Sequence, residues 1–363
     1  MNRIRVLVVD DSALVRSLLS EIINQQKDME CIGSANDPLV AREMIRELNP
    51  DVITLDVEMP RMDGIDFLER LMRLRPMPVI MISTLTERGA GVTIRALELG
   101  AIDFFAKPRL GVANGLMELA AQIVEKIRIA ASVVIKRAAV NPKIIDQSAE
   151  NSEPVLRLHP RARRMHAKKL ICIGASTGGT EAIREILMRL PSDSPGVVIT
   201  QHMPAGFTSS FAIRLNSLCQ ITVKEAVNGE RILLGHAYIA PGGMHLKVGR
   251  NGCNYIVEVV DGELVNRHKP SVEVLFKSVA KVAGKNAFGI MLTGMGSDGA
   301  VAMREMKDAG SYNFVQNEAS CVVFGMPREA ILQGAADEVL DIVEIAPALL
   351  ARLGCTTDRF DDL

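Results

Sequence analysis

The 363-residue chain has no tryptophan, and aromatic residues make up only 4% of it. Surplus charge is also scarce: 42 Lys and Arg against 43 Asp and Glu leave a net charge of -1. Such a balance supplies no global pull toward nucleic acid or an anionic membrane. No apolar stretch reaches the roughly 20 residues of a membrane-spanning helix. The opening MNRIRVLVVD is not expected to be a secretory signal, because acidic residues interrupt its apolar run at once. The six cysteines (Cys31, Cys172, Cys219, Cys253, Cys321 and Cys355) form no C-x-x-C pair. They read as thiols of a reducing cytoplasm rather than as a zinc or disulfide framework. What remains is the composition of an ordinary soluble α/β protein, long enough to favour two compact units.

Residues 1–110 alternate short apolar runs with amphipathic stretches. The runs are RVLVVD (5–10), ECIGSA (30–35), DVITLD (51–56), PVIMIS (78–83) and DFFA (103–106). Between them apolar residues recur at three- and four-residue steps, as in Leu14, Leu18 and Ile22, or Leu39, Ile45 and Leu48. Five such β–α repeats, apolar on both strand faces, predict a parallel sheet with helices on each side. Ligands of such sheets bind at the carboxyl ends of the strands.

Those ends carry Asp10 and Asp11 after the first run, Asp56 after the third, Ser83 after the fourth, and Lys107-Pro108 after the fifth. Three converging carboxylates need a counter-charge, and a hard divalent cation with oxygen ligands, such as Mg²⁺, supplies it. A lysine and a hydroxyl nearby would complement a phosphoryl group. Any one of these aspartates could instead cap the helix that follows. The set as a whole resembles a two-component response-regulator receiver domain. The resemblance implies that Asp56 accepts phosphate from a sensor histidine kinase and that Asp10, Asp11 and Asp56 hold Mg²⁺. It also implies that Lys107 pairs with the acyl phosphate, that Ser83 hydrogen-bonds it, and that Phe104 is the aromatic switch residue. Phe104 reads equally well as a core residue.

A long amphipathic helix is expected from about Gly115 to Arg137, and periodicity then fails until about Ala167. Residues 128–169 hold ten Lys and Arg and three Asp and Glu. Without aromatics or a recognition-helix pattern, this reads as a solvated basic linker in preference to a nucleic-acid arm. The expected division is therefore a receiver at 1–127, a linker at 128–168 and a second α/β unit at 169–355.

The second unit alternates again, and its strand ends are again the informative places. KLICIG leads into GASTGG (174–179), GVVITQ into His202, and AFGIMLTG into GMGSDGA, which contains Asp298. If the three strands are parallel, Ser176, His202 and Asp298 share one edge. A serine needs a base to become a good nucleophile, and the histidine needs an acid to fix its tautomer. Gly174 to Gly178 also reads as G-x-S-x-G, the pattern of a tight strand-to-helix turn that exposes a serine. The GASTGG turn taken alone could equally bind a phosphate at a helix N-terminus, although it lacks a Walker lysine. His236 and His245 are alternative bases, expected to lie away from the parallel ladder in the glycine-rich stretch 221–268. Asp298 could cap the helix after it.

GASTGG, QHMP, APGGMHL and LTGMGSDGA, in this order behind a receiver, resemble the chemotaxis response-regulator methylesterase family known as CheB. The resemblance covers nearly the whole chain. It implies a serine hydrolase that removes methyl esters from glutamates of chemoreceptor cytoplasmic domains and deamidates certain glutamines there. By the same resemblance Ser176 is the nucleophile, His202 the base and Asp298 the orienting acid, while Thr177 and Met295 line the oxyanion site. Hydrolysis would need no cofactor, and Mg²⁺ would serve only the receiver. A cytoplasmic protein is implied, with chemoreceptors and a kinase as partners and no nucleic acid. The rivals are a DNA-binding regulator, which would need a helix-turn-helix that the chain does not show, and a non-catalytic phospho-switch.

Overall fold

The computed structural model describes residues 3–59, 63–84, 86–107, 116–133 and 168–354. Pro108, Cys355 and most of the expected linker lie outside them. The chain divides into two units, Met1–Ser148 and Ala149–Leu363.

In the first unit five strands alternate with helices: β1 (Ile4–Val9), α1 (Ala13–Asn24), β2 (Met29–Ala35), α2 (Pro38–Leu48), β3 (Val52–Asp56), α3 (Gly64–Leu74), β4 (Val79–Thr84), α4 (Glu87–Glu98) and β5 (Asp103–Lys107), followed by α5 (Ala120–Ser132). The strands pair in parallel in the order β2-β1-β3-β4-β5. β3 and the Val6–Val9 segment of β1 are wholly buried, as a sheet covered on both faces requires. α1 to α4 each begin where a polar side chain takes up N–H groups that the first turn leaves unpaired. Asp37 accepts from Leu39 and Val40, Asp63 from Ile65, and Thr86 from Gly89.

α5 buries Ile123, Val124, Ile127 and Ala130 against Val15, Leu19 and Ile22. Full burial of one such aliphatic side chain stabilises the fold by roughly 1.5–3 kcal/mol. Arg128 grips Asp28 with two bonds, of 2.6 and 2.9 Å. Residues 128–132 are therefore the end of the first unit's last helix, where the sequence led us to expect linker. The amphipathic pattern of α5 runs into the basic stretch without a break, so charge alone misplaced the boundary.

The second unit contains β6 (Leu170–Ala175), α6 (Gly179–Leu187), β7 (Gly196–Gln201), α7 (Phe207–Asn216), β8 (Thr222–Glu225), β9 (His236–Ile239), β10 (His245–Asn251), β11 (Asn254–Val260), α8 (Val272–Val282), β12 (Ala287–Met291), α9 (Ala300–Asp308), β13 (Tyr312–Gln316), α10 (Met326–Leu332), β14 (Glu338–Leu340) and α11 (Ile342–Arg352). Seven strands form a parallel sheet in the order β14-β13-β12-β6-β7-β9-β8. β10 and β11 form a separate antiparallel hairpin. The chain builds outward from β6 in both directions, so the carboxyl end of β6 is the switch point of the sheet, where such folds bind ligands.

The glycine-rich middle departs from expectation. β8 and β9 extend the parallel sheet, so His236 stands on the ladder rather than away from it. It begins β9 and therefore lies on the rim opposite the strand carboxyl ends. β9 is four residues long between glycine turns, too short for its buried pattern to declare itself in the sequence. No helix among the described residues is long and apolar enough to cross a membrane.

Candidate active site

In the first unit Asp10, Asp11 and Asp56 offer carboxylate oxygens that all lie within 4.8 Å of one another. The helix caps after β1 and β3 are Ser12 and Asp63, so these three aspartates are not spent as caps. Lys107 Nζ stands 2.9 Å from Asp10 Oδ2 and 2.7 Å from Asp56 Oδ2. Asp56 Oδ1 is buried with no hydrogen-bond partner among the described residues. An orphaned carboxylate oxygen beside two more carboxylates suits a hard divalent cation. Burial, then the charge of Asp10, pushes the Asp56 carboxyl up to about 7 in spite of Lys107. Burial works against the charged form of Lys107, but the Asp56 and Asp10 carboxylates outweigh it and raise the ammonium's pKa.

Ser83 is buried, and its hydroxyl is engaged by α4: Thr93 Oγ1 donates to it at 2.7 Å, and it donates to Gly89 O at 3.3 Å. Neither bond reaches Asp56. Phe104 is buried beside Met81, with Lys126 Nζ 5.9 Å from its ring centroid.

In the second unit the sheet gathers the three residues of interest onto neighbouring strands. Ser176 follows β6 and His202 follows β7, in a register that pairs Ala175 with Gln201. His202 N–H donates to Ala175 O at 3.1 Å, so the two residues begin their loops side by side, one strand spacing of about 4.8 Å apart. Asp298 lies on the loop after β12, the strand on the other side of β6. It reaches across, and its Oδ2 is 2.8 Å from His202 Nε2. Nε2–H therefore donates to the carboxylate, which assigns the lone pair to Nδ1. His202 Nδ1 is buried and has no hydrogen-bond partner among the described residues. The structure thus joins the His202 imidazole to the Asp298 carboxylate, while no bond joins Nδ1 to the Ser176 hydroxyl. Such bonds are commonly long or unformed until substrate arrives.

Asp298 accepts from five donors. Oδ2 takes His202 and Val272 N–H (2.7 Å), and Oδ1 takes Ser271 Oγ (2.7 Å), Asn266 Nδ2 (2.8 Å) and Glu273 N–H (3.3 Å). Burial works to raise its pKa, but the bond and charge of His202, then Asn266 and Ser271, bring the carboxyl down to about 2. The site therefore holds an ionised carboxylate against the imidazole.

Two glycines make the serine turn. Gly178 has φ +77°, and a Cβ there would lie 2.6 Å from Val322. Gly294 lets the β12 loop approach so closely that a Cβ would sit 2.7 Å from Ser176 Cβ. Thr293 Oγ1 ties the two loops together by donating to Thr177 O at 3.0 Å. Thr177 is buried and Met295 half-buried, on the loops that flank Ser176.

Comparison with known proteins finds relatives for both units. Residues 171–349 match the CheB methylesterase family, and residues 6–113 match the response regulator receiver domain. A protein of Albidiferax ferrireducens named protein-glutamate methylesterase/protein-glutamine glutaminase 1 is 72% identical over 99% of this chain and 96% of its own length. A Burkholderia lata protein named protein-glutamate methylesterase/protein-glutamine glutaminase 3 is 58% identical over 99% of this chain and 98% of its own. The chain belongs to the CheB methylesterase family. A solved CheB methylesterase catalytic domain from Thermotoga maritima is 36% identical over 51% of this chain and 98% of its own, with a TM-score of 0.50.

In this CheB-family chain the sequence reading missed the residues that surround Asp298 and His202. Asn266 and Ser271 bind Asp298, and the His268 ring stacks on His202 with centroids 3.6 Å apart and planes at 11°. Gln201 Nε2 donates to Ser176 O at 2.9 Å and holds the serine turn from the neighbouring strand. Of the alternative bases, His236 donates from Nδ1 to Leu234 O on the far rim. His245 is buried with both nitrogens engaged: Nε2 donates to Glu263 O at 2.8 Å, and Nδ1 accepts from Ser271 N–H at 3.3 Å. His245 therefore has no nitrogen to offer a nucleophile, and His236 stands at the start of β9, on the rim away from Ser176.

Proposed function

We propose that this chain is a phosphorylation-regulated protein-glutamate methylesterase and protein-glutamine deamidase acting on the cytoplasmic domains of methyl-accepting chemoreceptors. Ser176 Oγ attacks the side-chain carbonyl carbon of a methylated glutamate while His202 Nδ1 takes the hydroxyl proton. The imidazolium that forms is supported through Nε2–H by the Asp298 carboxylate. Backbone N–H groups of the serine turn and the Gly294–Gly296 loop, at Thr177 and Met295, receive the oxyanion. Collapse expels methanol, which leaves with the proton from Nδ1. Water then attacks the acyl-serine, again giving its proton to His202, and releases the glutamate and the free serine. From a glutamine, ammonia leaves in place of methanol. No step calls on a metal or an organic cofactor.

In the receiver, Asp56 accepts a phosphoryl group from a sensor histidine kinase. Asp10, Asp11 and Asp56 would hold Mg²⁺, which neutralises charge on the transferring group when bound. Lys107, now paired with Asp10 and Asp56, is positioned to exchange a carboxylate for a phosphate oxygen. Ser83, released from Thr93 and Gly89, would become the hydroxyl donor. Phosphorylation adds nearly two negative charges, enough to shift a local two-state packing around Ser83 and Phe104. The protein would work in the cytoplasm, meet its receptors from that side and bind no nucleic acid.

The observation that carries this reading is the 2.8 Å contact between His202 Nε2 and Asp298 Oδ2, with Nδ1 buried and without a hydrogen-bond partner among the described residues, on the loop beside that of Ser176. A phosphate-binding turn would need no such bond between an imidazole and a buried carboxylate. A fluorophosphonate probe tests it: covalent labelling at Ser176 is expected, and labelling elsewhere or not at all would remove Ser176 as the nucleophile.

A further inference from the structure

Asn266 and Arg267 are adjacent non-glycine residues with positive φ, 52° and 68°. They form a two-residue turn closed on both sides: Val265 N–H donates to His268 O at 3.1 Å, and His268 N–H to Val265 O at 2.9 Å. Tight turns of this hand favour Asn followed by Gly. Asn tolerates the left-handed region, whereas Arg does not favour it. Such a conformation persists where the surroundings over-determine it, and often where a site uses it.

The turn places its residues on both members of the catalytic pair. Asn266 Nδ2 donates to Asp298 Oδ1 at 2.8 Å, and His268 lies flat on the His202 ring. We propose that the Val265–His268 turn is a positioning device for the His202–Asp298 pair, with the Asn266 amide setting the rotation of the carboxylate. This inference rests on the hydrolase reading given above.

The argument is geometric. For Oδ2 to receive Nε2–H well, the carboxylate must not turn about its Cβ–Cγ bond. Ser271 Oγ, at the start of α8, holds Oδ1 from one element, and Asn266 holds it from another. Without Asn266, Oδ1 keeps only Ser271 and the longer Glu273 N–H bond. The carboxylate then gains freedom, and its support of the imidazolium weakens. Imidazolium forms as His202 takes the serine proton, so the loss falls on kcat and leaves KM unchanged. The low pKa of Asp298 has the Asn266 bond among its causes, in keeping with this role.

The test measures kcat and KM of the full-length wild type, Asn266→Gly and Asn266→Asp on a methylated receptor cytoplasmic fragment, with thermal unfolding of each. Glycine keeps the left-handed backbone and removes the donor. Its kcat should fall roughly ten- to a hundredfold at constant KM. Asn266→Asp sets a carboxyl against Asp298, with His202, Ser271 Oγ and the N–H groups of Val272 and Glu273 as the other groups on that carboxylate and Arg267 and His268 as its chain neighbours. It should be worse than glycine at neutral pH and should recover relative to the wild type as pH falls, because the protonated carboxyl donates again. A purely structural role would lower the melting temperature of both variants without that recovery. Wild-type kcat in a folded Asn266→Gly, or an Asn266→Asp profile parallel to the wild type, overturns the inference. A wild type that fails to hydrolyse the ester removes the hydrolase reading first, and this inference with it.

Discussion

His202 Nε2 and Asp298 Oδ2 lie 2.8 Å apart, and that single bond determines which nitrogen of His202 is left for chemistry. It also sets the most direct consequence of substitution. Asp298→Asn presents an amide to Nε2 and favours the opposite tautomer, in which Nδ1 carries the proton and cannot accept one. By analogy with the same change in other triads, kcat should fall by about 10³–10⁴-fold. Steady-state hydrolysis of methylated receptor fragments measures this, and a loss below tenfold would mean that Asp298 does not orient His202.

The depressed pKa of Asp298 also makes a stability prediction. The folded carboxyl titrates near 2, below its ordinary 3.8. Its ionised form therefore contributes stability above the unfolded pKa, on the order of 2 kcal/mol. That contribution is lost as pH falls from about 4 toward 2. Denaturation of wild type and Asp298→Asn should differ most at neutral pH and converge at the acid end of that window. A constant difference across it would contradict the assignment.

Ser176→Ala should reduce turnover by about 10⁵–10⁶-fold while leaving acetyl-phosphate labelling of the receiver unchanged. Asp56→Asn should do the reverse, abolishing labelling and activation but retaining basal hydrolysis. Parallel assays of phosphate incorporation and ester hydrolysis separate the two sites, and loss of both functions in either variant would contradict their division of labour.

Gly294→Ala tests the close approach behind the serine. The added methyl would lie 2.5 Å from Met326 Sδ and 2.7 Å from Ser176 Cβ. The turn must shift to admit it, at a cost of about 1–3 kcal/mol, and the serine moves with it. Both the melting temperature and kcat should drop. Unchanged kcat would show that the loop does not hold Ser176.

Removal of divalent cations by EDTA should block activation by acetyl phosphate and leave unphosphorylated esterase activity intact. The three carboxylates in the receiver pocket and the orphaned Asp56 oxygen motivate this. Loss of basal hydrolysis in EDTA would instead place a metal in the hydrolytic chemistry.

The strand ends that carry Asp10, Asp56, Ser176, His202 and Asp298 were legible because parallel strands buried on both faces write continuous apolar runs, and each run stops at a polar residue. The surroundings of Asp298 were not. Asn266, His268 and Ser271 sit in DGELVNRHKPS, which has no periodicity, and their partners are decided by a left-handed turn that two non-glycine residues do not announce. His236 was misplaced because β9 is too short to show its pattern. Arg128 was assigned to the linker by charge, although Asp28, a hundred positions earlier, neutralises it within the first unit. The tautomer of His202 was beyond any reading of sequence, since it depends on which nitrogen meets the carboxylate.

Mass spectrometry of a methylated receptor cytoplasmic fragment, incubated with wild type or Ser176→Ala in the presence and absence of acetyl phosphate, addresses the central claim most directly. Wild type should convert each reactive methyl-glutamate to glutamate, faster with acetyl phosphate, and Ser176→Ala should convert none. Equal demethylation by the two proteins, or none by either, would contradict the account.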